Sequence, residues 1–245
     1  MKKVIAQLFS LILVSSMLIA PANCFAAESK SDDTKILTTT TVRIDDKMIE
    51  VPMSIDVKSL YTTETKTSSD SKINSDTKAS NDSCTVYIPY TEEAKENNDK
   101  VISDIKAAKG SSESFTSQYG YIYFTSTLNY SRTYYNGNYS QPLVDLISFK
   151  LEREIITSAP FDGFRNASAK AQQIGTIGDS GNASELYGQT LSFSSINYGQ
   201  LYSVPSSWQP IIANVLDYYK GVKYSIPLIY SNGTTSTLTY THEMH

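Results

Sequence analysis

The chain has 245 residues, enough for one substantial domain or two small ones. Its 21 Lys and Arg against 25 Asp and Glu give a net charge of −4, which excludes a general nucleic-acid binder, since that needs a basic face to displace counterions from phosphates. Tyrosine is abundant, with 18 residues beside 8 Phe and one Trp, whereas His and Cys number 2 each. Ser and Thr together make up about a quarter of the chain, well above ordinary usage.

The first residues read as an export signal. Met1, Lys2 and Lys3 form a basic start, Val4 to Ala20 is mostly apolar, and Pro21 to Ala26 ends in small residues suited to cleavage after Ala26 or Ala27. Gln7, Ser10, Ser15 and Ser16 interrupt the apolar run, which is at the short limit for a membrane span, so no span is expected after cleavage. The short Lys-Lys start suggests a bacterial signal peptide over residues 1–26 and a secreted, extracellular product. Cys24 raises lipoprotein processing as an alternative, but Asn23 and Pro21 occupy the places where that pathway wants a small residue and a Leu-like one. Cleavage leaves 19 basic against 25 acidic residues, a charge of −6, and Cys84 as the one cysteine. A lone thiol closes no intramolecular disulfide, so the domain must be held by its own core.

Residues 27–83 read as a flexible polar segment containing a short β-hairpin over 38–57. In that hairpin Val42, Ile44, Met48, Ile49, Val51, Met53, Ile55 and Val57 partly alternate with polar residues, and Asp45-Asp46-Lys47 forms the turn. From Thr62 to Ser83 the one large apolar residue is Ile73, too little to build a core, so a solvated linker is expected. Cys84 to Tyr90 is a short strand stopped by Pro89. Thr91 to Lys109 is the clearest helix, with Thr91 as N-cap, Glu92 and Glu93 in the first turn and Gly110 after the last.

Strand patterns dominate from Ser117 onward. Tyr119, Tyr121 and Tyr123 alternate with Gly120, Ile122 and Phe124, and Asn136-Gly137 suits a tight hairpin turn. Ile147, Phe149 and Leu151 alternate with Ser148, Lys150 and Glu152 as the cleanest half-buried strand. Further strands are expected over 169–177, 189–198, 201–204 and 222–230, and Asn232-Gly233 leads into one over 234–240. Residues 206–221 fit either a helix started by Ser206 and Gln209 or an edge strand interrupted by Pro210. The whole predicts a mainly β fold over 84–245, an antiparallel β-sandwich (Ig-like or jelly-roll-like) with one or two short helices, behind a disordered N-terminal segment.

Catalytic motifs are weak. Gly178-Asp179-Ser180-Gly181 resembles the tetrapeptide around the nucleophile of trypsin-like serine proteases. In that arrangement the base histidine precedes the serine, but here His242 and His245 both follow it and Asn182 replaces a glycine, so a turn is expected. The same two histidines read as a polar tail; a zinc site needs more ligands, and no metal or other cofactor is expected. Asp145, Glu152, Glu154, Asp162, Glu185 and Asp217 lie in the core region as candidates for carboxylate catalysis, without a pattern that selects a pair.

The aromatics point to binding instead. Tyrosine pairs an apolar face with a hydroxyl, which suits glycan or protein surfaces, although strands also use it in their cores. Trp208, Tyr134, Tyr135 and Tyr202 are the candidate contact residues. The expected function is a secreted bacterial, non-catalytic binding module for a glycan or surface protein. The alternatives are a carboxylate-dependent extracellular hydrolase of polysaccharide or cell wall, and a toxin or bacteriocin-like effector with residues 27–83 as propeptide.

Overall fold

Strands with one apolar face need something to cover it, and this chain covers that face by curling a single sheet over itself. The computed structural model describes residues 34–58, 64–65, 75–108, 120–135, 142–156, 165–176, 186–212, 220–230 and 232–244. Among these, the elements in chain order are β1 (Thr34–Ile44), β2 (Lys47–Lys58), β3 (Glu64–Thr65), β4 (Ser75–Pro89), α1 (Glu92–Ala107), β5 (Tyr121–Tyr135), β6 (Leu143–Ile156), β7 (Ala167–Thr176), β8 (Leu186–Ile196), β9 (Leu201–Ser203), β10 (Ile211–Ile212), β11 (Lys220–Ile229) and β12 (Thr235–Glu243). The fold is mainly antiparallel β with one short helix, as the alternation predicted. Its layers are the flanks of one continuous sheet, curled as a half-barrel, with the order β10-β6-β5-β4-β2-β1-β12-β11-β7-β8.

The hairpin expected over 38–57 spans residues 34–58 and lies within the sheet, β2 pairing with β4 and β1 with β12. The second half of the expected linker is also strand, because β4 begins at Ser75. Its polarity is explained by its partner. On the outer side of the sheet Thr77, Asn81, Ser83 and Thr85 meet Thr133, Asn129, Thr127 and Thr125 of β5, so polar side chains satisfy one another instead of entering a core. The segment 206–221 shows strand in part: Ile211 and Ile212 pair with Val144 and Leu143, while 213–219 lie outside the described residues. Asn136-Gly137 also lies outside them.

The inner face carries the core. Alternate residues of each strand point into it, among them Val86, Phe124, Leu128, Phe149, Leu151, Ile226 and Leu238, all essentially inaccessible to water. α1 lies against the outer face of β1, β2 and β4. Its N-cap forms as the sequence implied, Thr91 Oγ1 accepting from the Ala94 amide at 3.2 Å. Asn98, a weak helix former, is buried there because its amide donates to the Glu50 carbonyl at 2.8 Å and accepts from the Tyr121 hydroxyl at 3.3 Å. Beneath the helix Tyr87, Tyr121 and Tyr123 fill an aromatic layer with Ala94.

Two seams join the flanks. At one, β1 and β12 share a single short register, Arg43 with Thr239 and Ile44 with Leu238. Asp45 extends that register by one turn: its amide donates to the Thr237 carbonyl at 2.9 Å, and its carboxylate accepts from the Thr237 amide at 2.7 Å. Asp45 holds φ at +50°, which Asp tolerates in a tight turn.

At the other seam, side chains take over from the ladder. Gln173 of β7 accepts from the Leu146 amide of β6 at 2.7 Å and donates to the Gln209 carbonyl at 2.8 Å. Gln189 of β8 donates to that same carbonyl at 2.7 Å and accepts from the Gln209 amide at 2.5 Å. Both glutamines are buried, so each bond replaces one to water that is no longer accessible. Gln173→Leu strips the Leu146 amide of its acceptor and is expected to cost about 3 kcal/mol, lowering the melting temperature by roughly 6–12 °C. Its neighbour Gln172, half-buried and bonded only to Thr190 at 3.3 Å, tolerates Ala within about 0.5 kcal/mol. Denaturant titration of the two variants checks the contrast.

Candidate binding face

The outer face divides along its length. The part beside α1 is aromatic and covered; the rest of β4 and β5 presents half-buried hydroxyls and amides, and β6 flanks them with the buried Ser148 and the charged Asp145, Lys150, Glu152 and Glu154. Thr85 bonds Thr125 at 2.9 Å, Ser83 approaches Thr127 at 3.5 Å, and Thr77 bonds Thr133 at 3.1 Å. Between them Asn81 donates to Asn129 at 2.6 Å, and Asn129 donates in turn to Ser148 of β6 at 3.0 Å. From Thr77 to Thr85 this neutral strip runs about 26 Å at roughly 3.3 Å per residue. Each hydroxyl has one proton and two lone pairs, so a single cross-strand bond leaves capacity for a ligand.

A bulge shapes the margin of this face. The β5–β6 register shifts between Asn129 and Tyr130, so that Asn129 faces Ser148 and Tyr130 faces Leu146. The extra residue, Ile147, is turned out and 47 % exposed. Beside it β9 pairs Leu201 with Lys150, leaving Leu201 56 % exposed. Lys150 closes an ion pair with Glu152 at 3.0 Å, so this margin carries balanced charge.

The aromatic candidates are distributed differently from a single surface. Tyr202 is stacked on Phe149 with centroids 5.6 Å apart and meets Phe193 edge-on at 5.3 Å. Its hydroxyl accepts from the Asn197 amide at 2.7 Å, which folds the β8–β9 turn onto the ring. Trp208 is half-buried against the core, its amide donating to the Pro205 carbonyl at 3.0 Å. Tyr134 is half-buried near the end of β5 opposite Asp76, and Tyr135 is the last residue of that strand, its side chain outside the described residues. Leu128, Phe149 and Tyr202 are in line across three strands, so six residues of β5, about 20 Å, separate Tyr134 from that line. The structure therefore brings Tyr202 and Trp208 into one segment and sets the Tyr134–Tyr135 pair apart from it.

Most other described tyrosines serve the interior. Tyr224 stacks on Tyr240 at 5.9 Å, and Tyr90 stacks on Tyr230 at 5.3 Å beneath the Lys95 ammonium. Arg153 lies 4.5 Å over the Tyr198 ring; burial pushes the Tyr198 phenol up to about 12 despite that cation.

The interior also holds polar groups that the sequence did not mark. Ser126 Oγ lies 2.8 Å from the Tyr224 hydroxyl and 2.8 Å from His242 Nδ1. His242 is thus part of strand β12 and buried, which corrects its reading as a polar tail; the alternation Leu238, Tyr240, His242, Met244 was the signal for it. The Ser–His spacing suits a nucleophile and its base, but Ser126 is 0 % and His242 2 % exposed, so no substrate reaches the pair. Nearby, the buried Asp82 carboxylate accepts from the Tyr130 hydroxyl, and Arg132 donates to that oxygen at 3.0 Å. Burial and the Asp82 charge hold the Tyr130 phenol well above its ordinary range.

Of the carboxylate candidates, Glu152 and Glu154 lie two residues apart on the outward side of β6, with Glu152 held in its ion pair with Lys150. Asp145 is raised by burial, with Gln173 opposing, but it stands seven residues from Glu152 along β6, about 23 Å. Glu154 is exposed on its strand. Asp162, Glu185 and Asp217, like Gly178–Gly181 and His245, lie outside the described residues. Among the described residues no group of three or more His, Cys, Asp or Glu is placed to hold a metal ion, and no helix is long and apolar enough to cross a membrane. Comparison of the chain with protein-family models, curated proteins and solved structures finds no match.

Cys84 sits inside the core and its thiol is pushed up to about 11 by burial, with Tyr240 opposing. At pH 8 the native thiolate fraction is then about one in a thousand, so a thiol reagent should label Cys84 only as the protein unfolds. Because the folded thiol holds its proton where the unfolded one loses it, this group favours the folded state below pH 9, and that contribution falls away between pH 9 and about 11. Labelling rates with and without denaturant, across that range, check both statements.

Proposed function

We propose that this protein is a secreted, non-catalytic binding module that holds a neutral glycan on the outer hydroxyl–amide face of β4, β5 and β6. The observation that carries the reading is the cross-strand array from Thr85 and Thr125 through Asn81, Asn129 and Ser148 to Thr77 and Thr133. Such an array offers donors and acceptors without net charge, which matches sugar hydroxyls better than phosphates or an acidic peptide. Exposed Ile147 and Leu201 at the margin supply apolar contact for the C–H face of a pyranose ring.

Trp208 and Tyr202 enter this reading as positioning residues. Their rings anchor the segment that carries Leu201 and Ser203 to the edge of β6, and so set the height of the face's margin. Export follows from the basic, apolar and small-residue order of residues 1–26.

Retention on insoluble neutral polysaccharide, compared with a charged one, tests the proposal. Thr127→Glu introduces a charge on the half-exposed strip and is expected to weaken retention at least tenfold while far-UV dichroism stays unchanged. Asn129→Ala, which removes the contacts to Asn81 and Ser148, should act in the same direction. Equal retention of wild type and both variants contradicts the assignment of this face. Release of reducing sugar by the wild type would instead favour the hydrolase.

A further inference from the structure

The turn from β11 into β12 holds the Asn232-Gly233 pair in a set of short bonds. The Tyr230 amide donates to the Thr234 carbonyl at 2.9 Å, and the Gly233 amide donates to the Tyr230 carbonyl at 2.9 Å. Within that turn Asn232 Oδ1 accepts twice from one residue, from the Thr234 amide at 2.9 Å and from the Thr234 hydroxyl at 2.6 Å. A main-chain N–H can only donate, so it fixes which end of the Asn232 amide is the oxygen. Asn232, Gly233 and Thr234 are all exposed, so water reaches the turn.

Two donors aimed at one carbonyl oxygen are the arrangement that stabilises a tetrahedral oxyanion. The nucleophile for that carbon is next in the chain. The Gly233 nitrogen needs only to close a five-membered ring onto Asn232 Cγ, which makes the attack intramolecular. Gly233 carries no side chain to obstruct the ring and holds φ at +77°. Among the described residues, nothing lies within 4 Å of the place where a Cβ would stand.

We infer that Asn232 is a self-modification site, at which Gly233 attacks and Thr234 forms the oxyanion hole. Hydroxide takes the Gly233 amide proton, which gives up its bond to Tyr230, and the nitrogen pair forms the N–Cγ bond. The charge that arrives on Oδ1 is met by the two Thr234 donors. Collapse breaks the Cγ–Nδ2 bond, and the amide leaves as ammonia with a proton from water, which regenerates the hydroxide and leaves a succinimide. Water then adds to one of the two ring carbonyls. Breaking the bond from nitrogen to Cγ yields aspartate at residue 232. Breaking the bond from nitrogen to the main-chain carbon yields an isoaspartyl link, which routes the backbone through Cγ. None of these residues belongs to the glycan face, so the inference stands apart from that reading.

Peptide mapping by mass spectrometry, on the intact chain aged in mildly alkaline buffer, is the test. It reads the replacement of NH2 by OH at Asn232 separately from any change at Asn136-Gly137. The folded wild type is expected to convert Asn232 faster than the same chain held unfolded in guanidinium, where the hole is lost. Thr234→Val keeps the β-branched shape and removes the hydroxyl; it should slow conversion in the folded protein about tenfold and change nothing in guanidinium. Thr234→Ser restores the hydroxyl and should restore the rate. An aged wild type with Asn232 intact, or conversion faster in guanidinium than in the fold, overturns the inference. So does a Thr234→Val chain as fast as the wild type, or a Thr234→Ser chain as slow as Thr234→Val.

Discussion

The structure depends on closing a curled sheet around one apolar interior when its edge strands do not share a full ladder. Gln173 and Gln189 meet that constraint by carrying main-chain groups across the gap with their amides. A glutamine amide offers both a donor and an acceptor, so it can stand in for a peptide group where two strands diverge. The Gln209 backbone, gripped from β7 and β8, then holds the segment that covers the edges of β6 and β8. The opposite seam is a two-residue ladder lengthened by Asp45.

That closure also explains where the tyrosines go. With no disulfide available to the expected mature chain, the core must be large, and rings filling a wide curl supply the area. Tyr224, Tyr240 and Tyr130 in the curl, and Tyr121 in the layer beneath α1, are all nearly inaccessible, and their hydroxyls are met by Ser126, Cys84, Asp82 and Asn98. Among the described residues, tyrosine is therefore chiefly a packing residue. The proposed recognition rests instead on the less conspicuous Ser, Thr and Asn of the outer face.

Much of the architecture was legible where one side of a strand is apolar. Ile147 to Leu151, the strand after Asn232-Gly233 and the Thr91-capped helix carried signals strong enough to place them. The polar half of β4 was illegible for the converse reason. Its outer residues answer to β5, and the buried Asp82 answers to Tyr130, so the pattern makes sense only beside strands some 45 residues away. The glutamine seam was hidden in the same manner, because nothing local distinguishes Gln173, which is buried, from Gln172, which is half-buried. Of the aromatic candidates, Trp208 and Tyr202 were chosen for ring chemistry, and that chemistry is used largely in anchoring their own segment.

Amide hydrogen exchange under increasing denaturant tests most directly whether the two flanks close into one cooperative unit. The Leu146 and Gln209 amides, held only by glutamine side chains, should exchange with the same free energy and the same denaturant dependence as the amides of Phe149 and Tyr224 within the sheet. Exchange of Leu146 and Gln209 at much lower free energy, independent of denaturant, would show that the seam opens alone and that the sheet does not need it.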